Sequence, residues 1–171
     1  MSTPKNNDIR YDVAGYEHVT AALRELLNQY PALPDGEEIT FAMLADDGGK
    51  AMFPMSGGVI ERERRSVTGK VHQICRYPFY VIYRAGGLSE NRKAAVKVWL
   101  DQLGEWLERR TITIDGTAHK LDTYPVLTDN RKILSIERQT PAYLDSITED
   151  QVESWAISLN ARYENTYYKE A

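Results

Sequence analysis

The chain has 171 residues, with 21 Lys plus Arg against 25 Asp plus Glu, a formal net charge of −4, and one cysteine. That length suits one domain and can bury about 70% of the unfolded surface without a metal or disulfide staple. The acidic balance argues against non-specific nucleic-acid binding, which rests on Lys and Arg meeting phosphates, and a lone Cys75 excludes an intrachain disulfide or a cysteine-based zinc site.

Residues 1–11 are polar and read as a flexible arm, followed by one domain over 12–165 and a frayed tail over 166–171. The first twelve residues lack the apolar segment of a signal peptide. No apolar run approaches the ~20 residues of a membrane helix, so the expectation is an intracellular protein that meets no membrane. A helix is predicted from Asp12, its N-cap, to Tyr30, with Tyr16, Val19, Leu23, Leu26 and Leu27 on one face. Pro31 and Pro34 end it. Ile39, Phe41 and Met43 alternate with Thr40 and Ala42 as a strand. Asp46–Gly49 is the turn of a hairpin that returns through Lys50 to Met55, with Pro54 at an edge or end. Residues 59–67 carry charge on both faces.

The longest strand signal runs from Val71 to Arg84. Its odd positions are apolar or aromatic, and Pro78 on the other face implies a bulge or an edge. Ser89 caps a second helix over residues 90–110, striped by Val96, Trp99, Leu103, Trp106 and Leu107. Glu105 and Arg109 stand four apart as a surface pair. Asp115-Gly116 turns a small hairpin over 111–121. Ile133–Glu137 is a short strand, residues 139–150 a loop, and Trp155–Tyr163 an alternating amphipathic strand. The order predicts an α+β fold: a mainly antiparallel sheet with two principal helices on one face.

Chemistry is sparse in this pattern. His18, His72 and His119 lack a partner at metal-ligand spacing and read as exposed or structurally satisfied. Cys75, mid-strand on the apolar face, reads as core rather than nucleophile. Asp46-Asp47-Gly48-Gly49-Lys50 lacks the glycine spacing of a phosphate loop and the ligand ladder of a calcium loop. No catalytic residue, cofactor or metal is assigned. Glu61-Arg62-Glu63-Arg64-Arg65 is either a solvated edge strand or a subunit interface.

Eleven tyrosines stand against three phenylalanines. Tyr77, Tyr83 and Tyr163 fall on apolar faces and are core candidates. Tyr11, Tyr30, Tyr80, Tyr124, Tyr143, Tyr167 and Tyr168 fall in tails, loops or the opposite face, where neighbours would be met. The candidate interface set is Arg62, Arg64, Arg65, Tyr80, Tyr143, Tyr167 and Tyr168.

The order of helix, acidic-glycine turn, Tyr77-Pro78-Phe79-Tyr80-Val81-Ile82-Tyr83-Arg84, the helix from Asn91 through Trp99, Leu103, Gly104, Trp106 and Leu107, Thr140-Pro141, Glu149-Asp150 and the strand Trp155–Tyr163 resembles a family. The family is the small minor capsid or tail-completion proteins of tailed phages and prophages, of the tail-terminator kind, and the hairpin at 111–121 is the place where this chain would carry an extra element. The resemblance implies an α+β subunit in a homo-hexameric ring. Such a ring caps the tail tube protein, joins a head–tail connector protein, and in contractile particles meets the sheath protein, all within a virion tail or neck assembled in the host cytoplasm. Six copies at −4 each carry about −24, so genomic DNA would pass the lumen without specific binding. The alternatives are a head-completion or neck connector protein, a small enzyme with a dispersed site, and a ligand-binding module.

Overall fold

The computed structural model describes residues 8–128 and 130–169. Its elements in chain order are α1 (Tyr16–Leu27), β1 (Ile39–Phe41), β2 (Gly48–Pro54), β3 (Val59–Arg65), β4 (Lys70–Gly86), α2 (Glu90–Leu107), β5 (Ile112–Ile114), β6 (Thr117–His119), β7 (Val126–Thr128), β8 (Arg131–Arg138), β9 (Tyr143–Ile147) and β10 (Val152–Tyr168). The fold is α+β. An eight-stranded sheet runs β1-β2-β4-β10-β8-β7, with β3 also on β4 and β9 also on β10. All pairs are antiparallel except β1 with β2.

The two long strands, β4 and β10, are paired from Val152 opposite Gly86 to Tyr168 opposite Lys70 without a register shift. Side chains alternate along a strand, so one face collects Tyr77, Phe79, Val81, Ile157, Leu159, Ala161 and Tyr163, all fully buried. Both helices pack on this face, α1 through Val19, Leu23, Leu26 and Leu27, and α2 through Val96, Leu100, Leu103 and Leu107. The opposite face carries Arg76, Tyr80, Arg84, Ser158, Asn160 and Arg162, and neither helix lies on it.

Several expectations need correction. β1 and β2 are parallel neighbours rather than a hairpin, with Ile39 opposite Lys50. Ala42 takes a positive φ of 50° and its N–H donates to Met52, so the chain leaves the strand and doubles back before β2 begins at Gly48. Pro78 makes no bulge and lies in a central strand. Its carbonyl accepts from Met55, beyond the end of β2 and before the start of β3, so its missing N–H falls where no strand partner lies.

Residues 143–147 form a strand rather than a loop. All five are exposed, so no alternation marked them. β7 also escaped sequence reading. β10 reaches Tyr168, where Lys169 donates to Gly69, so the tail expected from 166 is ordered as sheet through that point; residues 170 and 171 lie outside the described residues.

The arm expected at 1–11 is sheet-bound at its end. Asp12 donates to Gly58, and Ile60 donates to Arg10. Residues 1–7 lie outside the described residues. α1 starts at Tyr16, and Gly15 rather than Asp12 is its N-cap. Ser89 does cap α2, accepting from Arg92. α2 ends at Leu107, and Arg109 lies beyond it with a φ of 62°. The Arg109 guanidinium donates to the Leu121 and Asp122 carbonyls rather than pairing with Glu105. The i, i+4 pair on this helix is Lys97 with Asp101 at 2.7 Å. The hairpin at Asp115-Gly116 forms as read, with φ of 50° and 80° at its two turn residues.

Gly104 marks the closest approach of α2 to the sheet. A Cβ there would stand 2.3 Å from Arg138 Cδ and 2.9 Å from Ile157 Cδ1. Arg138 is tied to Glu108 at 2.9 Å and cannot swing away freely. Alanine gains about 1 kcal/mol of helix propensity, but overpacking costs about 1–3 kcal/mol. Gly104→Ala is therefore expected to lower the melting temperature by a few degrees, read by calorimetry, and not to raise it.

Candidate functional site

Asp12, Arg131 and Tyr163 come together from three distant parts of the chain. Arg131 donates twice to the Asp12 carboxylate, each at 2.9 Å, from the start of β8. Tyr163 of β10 donates its hydroxyl to Asp12 at 2.8 Å, and the Gly15 N–H adds a bond at 3.2 Å. The Asp12 and Arg131 side chains are only 5% and 9% exposed. Burial pushes the Asp12 carboxyl up, but the Arg131 and Tyr163 hydrogen bonds and the Arg131 charge outweigh it, and the net shift is downward. Burial pushes the Tyr163 phenol upward, so it stays a donor. Gly58 leaves room for that phenol, since a Cβ there would lie 2.1 Å from the Tyr163 oxygen.

Beside this cluster an open groove of about 670 Å³ lies between the Arg10–Ala14 segment and β3, β4 and β10. Its floor is a chain of amides. Gln73 donates to Glu63 at 2.8 Å and accepts from Asn165 at 3.1 Å, and Asn165 accepts from Asn130 at 2.8 Å. Glu63 also meets Arg10 at 3.4 Å and Arg65 at 3.1 Å. These side chains satisfy one another, so the groove floor is polar but already bonded.

A second cluster holds Lys50. Its ammonium is 3.1 Å from Glu37 and lies 4.3 Å from the Tyr83 ring centre and 5.3 Å from that of Trp99. The Lys50 side chain is 5% exposed, so the charge is housed by one carboxylate and two ring faces. Neither this cluster nor the Asp12 cluster was legible in the sequence, because their members are separated by up to 151 residues.

Of the seven expected interface residues, five gather at one end of the sheet and two lie apart. Arg62 and Arg64 stand opposite Ile74 and His72, and Arg65 opposite Val71. Tyr167 is also opposite Val71, across β4, and Tyr168 is opposite Lys70, so these five sit at one end of the sheet. Tyr80 lies mid-sheet on the helix-free face, stacked on Phe53 at 5.3 Å. Tyr143 lies on β9 at the far end. Tyr30 and Tyr124, expected at surfaces, are interior. Tyr30 is 2% exposed and bonds the Trp99 carbonyl, and the half-buried Tyr124 bonds that of Leu107.

His72 is structurally partnered, its ring nitrogen lying 3.2 Å from Glu164. His18 is exposed. Among the described residues no three His, Cys, Asp or Glu side chains gather as metal ligands, and no helix is long and apolar enough to cross a membrane. Cys75 is fully buried, and burial pushes its thiol up to about 11.

No protein-family model and no functionally curated protein matches the chain. One solved structure, whose name states no function, is similar at 20% identity over 90% of this chain and 97% of that one, with a TM-score of 0.41. A likeness that slight carries no argument about what the chain does.

Removing one partner of a buried ion pair strands the other charge, at about 3–5 kcal/mol. Asp12→Ala is thus expected to lower the melting temperature by roughly 6–20 °C, whereas Tyr163→Phe costs about 1–2 kcal/mol. The folded-state Asp12 value lies below the unfolded one, so its stabilisation is complete above the ordinary carboxylate range and is lost as pH falls through it. Urea melts of Asp12→Asn should therefore depend less on pH between about 4 and 2 than those of the native chain. A further expectation concerns Cys75: a thiol-specific disulfide reagent at neutral pH should label it only after denaturant is added.

Proposed function

We propose that the chain is a structural assembly subunit of the phage-tail kind, a tail terminator. Its ring caps the tail tube, joins it to the head connector, and lies in a virion neck or tail. The sequence resemblance over most of residues 12–165 supports the reading. So does one structural observation, that the sheet is clothed by helices on only one side. Its helix-free face presents Arg76, Arg84 and Arg162 with the stacked Phe53–Tyr80 pair. Strand edges lie at both of its borders, at β1 and β3 on one side and at β7 and β9 on the other. A subunit of a closed ring needs two different borders that complement each other and a further face for its axial partner, and this arrangement supports that reading.

In this role the tail tube protein meets one end of the ring and the connector the other, with sheath protein outside in contractile particles. The buried Asp12–Arg131 pair and the Lys50 cluster hold the subunit rigid; they touch no substrate. Genomic DNA crosses the lumen without a specific site.

The test is assembly. Purified protein, alone and mixed with tube protein, should give six-fold rings in negative-stain images and a hexamer mass in solution. A monomer under every condition, including with tube protein, would remove the proposal.

A further inference from the structure

The two borders of the sheet end in corners of opposite charge. At the first corner, β3 has β4 on one side, and on the other only the Arg10–Asp12 segment, bonded at Gly58 and Ile60. Among the described residues no strand lies outside Glu61–Arg65. Arg62, Arg64 and Arg65 are exposed there. The carboxylates beside them are already engaged: Glu63 by Arg10, Arg65 and Gln73, and Glu61 by Arg76 and Arg162 at 3.8 and 3.7 Å. Among the described residues neither Arg62 nor Arg64 is in an ion pair, so this edge presents net positive charge.

At the second corner, among the described residues, β9 is paired with β10 on one side alone. All five of its residues are exposed, including Tyr143, Leu144 and Ile147 at 38, 40 and 50%. From Gln139 to Gln151 the chain carries Asp145, Glu149 and Asp150 and no Lys or Arg. The corners are diagonal: β3 pairs with the stretch of β4 at 71–76, and β9 lies beside the part of β10 that faces 82–85.

We propose that the β3 edge of one copy of this chain pairs with the β9 edge of a second copy, so that the sheet continues across the subunit boundary. Three physical arguments favour a second copy as the occupant. An open strand edge with apolar side chains is a template for strand addition, in which main-chain hydrogen bonds give the contact and alternate side chains the specificity. The basic edge suits the acidic one, whereas β3 against β3 or β9 against β9 would set like charges opposite each other. Two different edges on each copy make the contact head-to-tail, which repeats until it closes. Five-residue strands bury far less than the ~1,200–2,000 Å² of a stable pairwise interface. A lone contact is therefore weak, and closure of the ring, where each copy is held twice, supplies the stability. The inference rests on the assembly reading and names the contact that the reading leaves open.

Charge exchange tests it. The first variant is Arg62→Glu with Arg64→Glu, the second is Asp145→Arg with Asp150→Arg, and the third combines all four. Circular dichroism checks that each folds, and sedimentation over a wide concentration range reads self-association. Either reversal alone should weaken association about tenfold or more. The combined chain should recover it, and an equimolar mixture of the two single-edge variants should assemble more tightly than either does alone. If a reversal unfolds the chain, Arg64→Gln and Asp145→Asn, each followed against salt, report the same coupling through the loss of salt sensitivity. Native rings that persist unchanged in both reversals, or that the combined chain fails to restore, overturn the edge pairing and leave the assembly reading standing. A native chain that stays monomeric, with and without tube protein, overturns both.

Discussion

The unshifted pairing of β4 with β10 is the constraint on which the other elements depend. Because side chains alternate, a slip of one residue would turn Tyr77, Phe79, Val81, Ile157 or their partners to the helix-free face and bring Arg76 or Arg162 under the helices. Burying one large apolar side chain contributes about 1.5–3 kcal/mol, so a slip that exposes several of them is far outside the stability of a domain. The same two strands fix where everything else attaches. On one side β4 carries β2 and then β3 along its length; on the other β10 carries β9 and then β8. The diagonal placement of the two free corners therefore follows from the pairing at the centre.

The Asp12 cluster does a different job. A buried ion pair contributes modest net stability, since desolvation offsets much of the attraction. Its value here is in position. The segment before α1 is tied to the sheet through the Asp12 and Ile60 N–H groups, and the Asp12 carboxylate adds Arg131 from β8, Tyr163 from β10 and the Gly15 N–H at the head of α1. Removing it frees the entry of the chain and leaves a guanidinium in a site only 9% exposed. Lys50 acts in the same sense between β2 and α2, where its side chain is 5% exposed and its charge is met by Glu37, Tyr83 and Trp99.

What could be read from the sequence was what has a period or a turn code. β4, β10, both helices, the Ser89 cap and the Asp115-Gly116 turn carry such local signals, and they stand as read apart from their ends. What could not be read depends on contacts far away or on the lack of a pattern. β9 is exposed on both faces, so alternation had nothing to mark. The Ala42 reversal requires a left-handed alanine, for which no residue-type signal exists. Asp12 looked like a helix cap because Asp before an apolar stripe usually is one; Arg131, 119 residues on, draws it into an ion pair instead. Of the interface set, Arg62, Arg64, Arg65, Tyr167 and Tyr168 fall at one end of the sheet while Tyr80 and Tyr143 lie apart, because facing and proximity to an edge are properties of the register and not of residue type.

The excess of tyrosine over phenylalanine resolves on the same terms. Four interior tyrosines use both of their ends. Tyr77 shares a hydrogen bond with Thr20 of α1 at 2.7 Å, Tyr163 donates to Asp12, Tyr30 donates to the Trp99 carbonyl of α2 at 2.9 Å, and Tyr124 donates to that of Leu107 at 2.8 Å. Each ring fills core volume while its hydroxyl bonds a polar group, a hydrogen bond worth about 1–2 kcal/mol that a phenylalanine would forgo. Three of the four join a helix to a segment outside it, at Thr20 of α1 and at Trp99 and Leu107 of α2. Tyr11, Tyr143, Tyr167 and Tyr168 are exposed between 37 and 66% and stand at the borders of the sheet. Tyrosine thus occupies both the interior seams and the strand edges for a single reason, that both places are dry on one side and polar on the other.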